Sequence, residues 1–447
     1  MGRRSARRRR AFLAPVVLAL GLVVWPQRAR AAPKNTAEPG EPAAPDGEAP
    51  ARGRAARGDW RERPERLGPV QIEINERGDR LSLGLGTQFL TAVNHAFATA
   101  DQQRDTTARV QIRRLRVSFG GEFVARKIQT KLQFNFAPNA PELIDVWLMY
   151  APFRQLGIKF GQFKLPYTRY REQSFAVLSN ADWSPVTRVF GSERQVGLAL
   201  VQPGLDDLPW EYGLGVYTGT NARASHGLGV IEQYGETPEN PSDFRTFGAA
   251  YEIHPELAGR VARNFGGIDT SANSDLQRGP LRHSVGVSGA WDVRPSPRQD
   301  LAGRLALEWL AKLHGVHFNA VGHLGWVDTG FETIFGTWGG LLETGYRFDR
   351  SWELTARYSH VQFVSALRDD ARIYAASQIG DGSDPTLVTQ YADVGNVRSV
   401  DEAALAGTYD LFGPSLRAQL EAAWDAANTL MGWRQALVLR LQLQFTF

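Results

Sequence analysis

The chain has 447 residues, a formal charge of +4 and no cysteine, which excludes a disulfide framework and any thiolate metal site. Eight arginines and no acid fall within residues 1–31, so the remainder carries a formal −4 and nucleic-acid binding loses its main support.

Taken in chain order, the first element is "MGRRSARRRR", followed by the apolar run "AFLAPVVLALGLVVW" and by "ARA" at 29–31. This is the pattern of a secretory signal peptide, and the run is too short and wrongly flanked for a stop-transfer helix. "RRAFL" at 9–13 also resembles a twin-arginine signal, but nothing later in the chain points to a cofactor loaded before export. Residues 32–69 are rich in Pro, Ala, Gly and balanced charge, so they bury too little apolar surface to offset ordering and read as a disordered periplasmic linker.

From about residue 70 to 447 no apolar stretch is long enough for a helical span, and short alternating segments recur instead. "RKIQTKLQFNF" (126–136) sets Lys127, Gln129, Lys131, Gln133 and Asn135 against Ile128, Thr130, Leu132, Phe134 and Phe136. "ALVLRLQLQFTF" at the C-terminus alternates in the same way, and about sixteen such segments follow from "LSLGLGTQFL" (81–90) onward. A soluble β-sandwich also alternates. Here, however, the wet faces carry Arg, Lys or Gln while the dry faces end in Trp, Phe or Tyr, as at a membrane interface. Connections also alternate between short ("FDRS", 348–351; "FGPS", 412–415) and long (365–400). The expected fold is all-β: a transmembrane antiparallel β-barrel of about sixteen strands, in contact with outer-membrane lipid. One segment fits poorly. The connection 255–282 falls where a short turn is expected, so either a strand pair is hidden there or the register is wrong.

Residues 109–171 hold twelve basic residues against Glu122, Glu142 and Asp145, and four of the six lysines of the chain. In the proposed strands Arg114, Arg116, Lys131 and Lys159 face the lumen on one wall, with Lys127 and Lys164 nearby. A basic wall of this kind in a narrow pore attracts small anions. A plainer reading is that these charges pair with acids elsewhere. "RR" at 113–114 breaks the alternation, and a bulge there turns both side chains inward. The long connection 165–192 carries Arg169, Arg171 and Arg188, which are candidates to reach a constriction.

The pieces "IRRLRVSFGGEF" (112–123), "LIDVWLMY" (143–150), "LGIKFGQFKLPY" (156–167) and "ERQVGLAL" (193–200) resemble the phosphate-selective porin family, in order and spacing. The resemblance implies a sixteen-stranded, homotrimeric outer-membrane pore with an inward-folded third loop, here 165–192. A terminal Phe447 is usual for bacterial barrels and implies recognition by the barrel assembly machinery. Phosphate is one candidate solute, since the family label covers pores of differing selectivity.

No G-x-S-x-G elbow, H-E-x-x-H or phosphate-binding Gly-Lys-Ser/Thr motif occurs, and no cofactor is implied. His314, His317 and His323 read as surface histidines rather than a metal site. The functional expectation is an anion-conducting porin, with a non-selective general porin as the alternative and a barrel enzyme or adhesin after that.

Overall fold

The computed structural model describes residues 68–76, 78–99, 104–137, 141–191, 194–203, 209–218, 255–293, 303–328, 333–363, 397–429 and 432–447. The expected signal peptide, and the linker up to residue 67, lie outside the described residues, which all belong to the unit Arg57–Phe447. In chain order the strands are β1 (Val70–Glu73), β2 (Arg80–Ala96), β3 (Asp105–Phe123), β4 (Ile128–Asn135), β5 (Glu142–Phe153), β6 (Leu156–Lys164), β7 (Arg194–Val201) and β8 (Trp210–Tyr217). There follow β9 (Glu256–Phe265), β10 (Arg282–Asp292), β11 (Gly303–Leu313), β12 (Val316–Asp328), β13 (Thr333–Arg347), β14 (Trp352–Gln362), β15 (Val397–Asp410), β16 (Leu416–Thr429) and β17 (Gly432–Thr446).

From β2 each strand pairs antiparallel with the next, and β17 returns to β2 through Ala436↔Ala96 to Thr446↔Gly86. The result is the expected closed sixteen-stranded barrel. Closure leaves no unpaired edge in the ring, the condition for a sheet to stand in hydrocarbon. The alternation places side chains as the sequence implied. On β11 Leu305, Leu307 and Trp309 point outward and exposed, whereas Ala306, Glu308 and Leu310 are buried inside. On β17 Leu437, Leu439, Leu441 and Leu443 face out and Val438, Arg440, Gln442 and Gln444 face in.

An even strand number brings both ends of the ring to one rim, where the short turns also lie: 124–127, 154–155, 314–315, 348–351 and 411–415. By the usual arrangement this rim is periplasmic and the long connections are outer loops. β1 continues the seam past the chain end. Phe447 exchanges backbone hydrogen bonds with Leu85 (3.0 and 3.1 Å), and β1 then pairs with β2 from Glu73↔Arg80 to Val70↔Leu83. Deleting Phe447 removes the last rung of that seam. The expected result is less heat-modifiable, membrane-inserted barrel; wild-type amounts would show the residue to be dispensable.

The misfit at 255–282 resolves into one strand, not a pair. β9 occupies 256–265, and the remaining 266–281 is a long turn at the short-turn rim because it folds into the bore. Asn273, Ser274 and Asp275 are buried there. Asp275 accepts from Arg282 and from Gly315 N (2.8 Å), and Lys312 Nζ donates to the carbonyls of Asp269 (2.6 Å) and Ala272 (2.8 Å).

The connection after β6 enters the bore from the opposite rim. It carries α1 (Arg169–Glu172), a short 3-10 turn (Phe175–Val177) and α2 (Pro185–Phe190), the last started by Ser184, whose hydroxyl accepts from Thr187 N at 3.3 Å. Its apolar side chains, among them Tyr170, Leu178, Val186 and Phe190, pack on inward residues that are often small, such as Ala258, Ala290 and Ala306. Gly339 on β13 shows the need for space. A Cβ there would stand 2.7 Å from both Val186 Cγ2 and the His360 carbonyl.

Candidate functional site

The bulge expected at Arg113–Arg114 is present. Gln88 pairs with Arg114 and Phe89 with Ile112, so Arg113 is the extra residue and both arginines turn inward. Arg113 donates to Ala181 O (3.0 Å) and pairs with Asp182, which also holds Arg188 Nη2 at 2.5 Å. Arg114 donates to Gln88, and Arg114 and Arg116 lie 5.1 and 4.7 Å from the Phe175 ring centre. These groups fasten the third loop to the wall of β2 and β3.

Arg169 is buried as well. It donates to Asn273 and Asn319 (both 2.7 Å), and its backbone N–H donates to Glu308 at 2.9 Å. It therefore joins the third loop to the inward turn 266–281 and to β12 rather than lining open water. Arg188 is likewise engaged with Asp182. Arg171 lies half-buried, 5.1 Å from the Trp183 ring.

A second set stays accessible to water on the wall of β4 to β6. Lys131 is 34% exposed while binding Asp145 Oδ2 at 2.9 Å, and Arg194 takes the other oxygen at 2.5 Å. Lys159 rests its ammonium between the rings of Trp147 (4.0 Å) and Phe163 (4.5 Å). Lys164 donates to the carbonyls of Gln173 (2.8 Å) and Arg171 (3.1 Å), capping the C-terminal end of α1. Lys127 is exposed in the turn before β4. Asp145 is the partner that counting charges along the chain missed. Its inward parity on β5, two residues from Trp147, the cross-strand partner of Lys131, was the available signal.

Beneath this wall, at the rim of short turns, lies a cavity of about 800 Å³. Its lining includes the basic Lys127, Arg154, Lys159 and Arg260 and the acidic Glu172, Glu211 and Asp269.

The histidine expectation fails at two of three positions. His314 is exposed in its turn, but His317 is fully buried, 3.6 Å from Glu343 and 3.3 Å from Glu353. His323 is buried too, stacked 4.8 Å from the Phe190 ring. Both occupy inward positions of β12, His323 against the folded-in loop and His317 between carboxylates of β13 and β14.

A closed barrel with a polar bore, an apolar exterior and its third long loop folded inside is the architecture of an outer-membrane porin. Residues 91–261 match the family described as phosphate-selective porin O and P, over the same part of the chain that carried the sequence resemblance. Similar solved structures include OprB of Pseudomonas putida (13% identity, TM-score 0.49, covering 82% of this chain and 94% of that one). The outer-membrane channel DcaP of Acinetobacter baumannii is 12% identical, with a TM-score of 0.49 over 85% of this chain and 100% of its own. An anion-selective porin from Comamonas acidovorans is 10% identical, with a TM-score of 0.48 over 82% of this chain and 100% of its own. No curated protein matches the chain.

Proposed function

We propose that the protein is a passive outer-membrane diffusion channel with a modest preference for small anions, phosphate among them, working as a homotrimer. One observation carries the preference. Many inward acids are engaged in buried ion pairs under the third loop, namely Glu256–Arg304, Glu308–Arg260, Glu402–Arg357, Glu421–Arg440 and Asp410–Arg417. The charges left facing water on the wall of β4 to β6 are chiefly lysines. Several partial neutralisations along a wall favour anion passage over trapping, because no single site binds deeply. The pairing of Lys131 with Asp145 supports the second reading, a non-selective porin, since it cancels one charge where the bore is lined.

Reversal potentials across a planar bilayer in a KCl gradient decide between the two. Wild type is expected to favour chloride. Lys159→Glu, alone and with Lys131→Glu, is expected to move the potential toward cation preference while heat-modifiable folding persists, as Arg194 still partners Asp145. The shift should be larger in dilute salt, because screening reaches only about 8 Å at physiological ionic strength. An unchanged potential in the double variant leaves the general porin as the better description.

A further inference from the structure

Glu172 is an acid in the same cavity as Lys127 and Lys159. It ends α1, its side chain is 34% exposed, and it lines the cavity at the short-turn rim. Its nearest cation is Arg260, with Nη1 at 3.9 Å, but that guanidinium already serves two closer carboxylates, Glu308 and Glu211 (2.9 Å). Glu211 is further satisfied by Asn264 (2.7 Å) and Thr270. Three acids share Arg260, and Glu172, at 3.9 Å, is the loosest held of the three. In the same cavity Lys159 rests on ring faces rather than on a carboxylate, and Lys127 and Arg154 add positive charge from the adjoining turns.

We propose that this cavity is a binding vestibule for small zwitterions, Lys159 attracting the anionic end of the solute and Glu172 its cationic end. The proposal rests on the channel reading but not on its anion preference. A solute carrying both charges gains at both groups, whereas a simple anion gains at Lys159 and is repelled at Glu172. The volume of about 800 Å³ holds a small organic solute with its water.

Supporting behaviour follows from the groups that face Glu172. Burial pushes its carboxyl up to about 7; Arg260 opposes this, Glu308 and Glu211 add to it, and Lys159 opposes it again. On the remaining side Lys164 approaches the Glu172 backbone carbonyl at 3.4 Å. Below that value the acid is neutral and the vestibule loses its attraction for a cationic end; above it the attraction is present.

The test compares isotopic fluxes of taurine and isethionate from proteoliposomes of the full mature protein. The two probes differ in an ammonium against a hydroxyl, and both keep a permanently ionised sulfonate. Glu172→Gln is expected to lower the taurine-to-isethionate flux ratio about threefold, the size of one partly exposed charge interaction, with Glu172→Asp retaining it. In wild type the ratio should fall on going from about pH 8 to about pH 6, and Glu172→Gln should abolish that fall, so that the paired comparison separates the carboxyl from the other titrating groups of the cavity. A ratio equal in wild type and a conducting Glu172→Gln channel, or a pH-dependent fall that persists in that variant, overturns the proposal. A wild-type KCl potential without anion preference overturns the selectivity reading instead and leaves this flux ratio as its own measurement.

Discussion

Replacing Glu343 by alanine is expected to release the third loop and raise single-channel conductance, with noisier open-state current. Glu343 points inward from β13 and is fully buried. Its Oε2 accepts from Tyr170 Oη (2.8 Å) and Asn180 Nδ2 (2.9 Å), both on the third loop, and its Oε1 accepts from Asn273 Nδ2 (2.6 Å) on the inward turn 266–281. One carboxylate thus ties together the two segments that narrow the bore. Its removal strands three buried donors. Hydrogen bonds to a charged group contribute about 1.5–3 kcal/mol each, so the folded-in state loses on the order of 4 kcal/mol after allowance for non-additivity. The donors recover water if the loop moves out, whereas the barrel ladder is unaffected, so the loop rather than the ring should yield. Trypsin cleavage at Arg169, Arg171 or Arg188 in otherwise heat-modifiable barrel would report the release. Glu343→Gln keeps an acceptor and should show a smaller change. Unaltered conductance and protease resistance in the alanine variant would mean that the apolar contacts of Val186 and Phe190 hold the loop by themselves.

The legible and illegible parts of this molecule divide along a physical line. Alternation within one strand is local, so the outward leucines of β17, the two-faced segment around Lys131 and the bulge at Arg113 could be read from neighbouring residues. β9 was harder, because "ELAGRVARNF" places Gly259 on the outward face and Ala258 and Ala262 on the inward one, which flattens the contrast between faces. Ion pairs depend on register between strands, and register is not local. That is why Asp145 was counted among the charges of the segment but not assigned to Lys131 and Arg194. Burial of His323 depends on where a distant loop folds, and the carboxylates beside His317 come from β13 and β14, so the sequence of β12 alone carries no sign of either. The same holds for Arg169, whose partners Asn273 and Asn319 come from parts of the chain more than a hundred residues away.

The outward face gives the sharpest test of the barrel in its membrane. Leu307 stands near the middle of β11 and is 67% exposed, while its neighbour Ala306 is buried against the folded-in loop. In a soluble sheet, arginine at an exposed leucine costs little, because the surface already faces water. In a lipid-facing position near the bilayer midplane the same change costs about 2–4 kcal/mol, since the guanidinium must be drawn toward the interface or bring water with it. Leu307→Arg should therefore lower equilibrium stability in lipid vesicles by that amount, measured by denaturant unfolding, and reduce the fraction assembled. Leu313→Arg is the control: it lies at the rim, the last residue of β11 before the 314–315 turn, where the cost should fall to about 0–1 kcal/mol. A depth-dependent penalty along one face of one strand is a property of a membrane-spanning barrel and not of a water-facing sandwich. Equal, small effects at both positions would place this face in water and remove the basis for a pore.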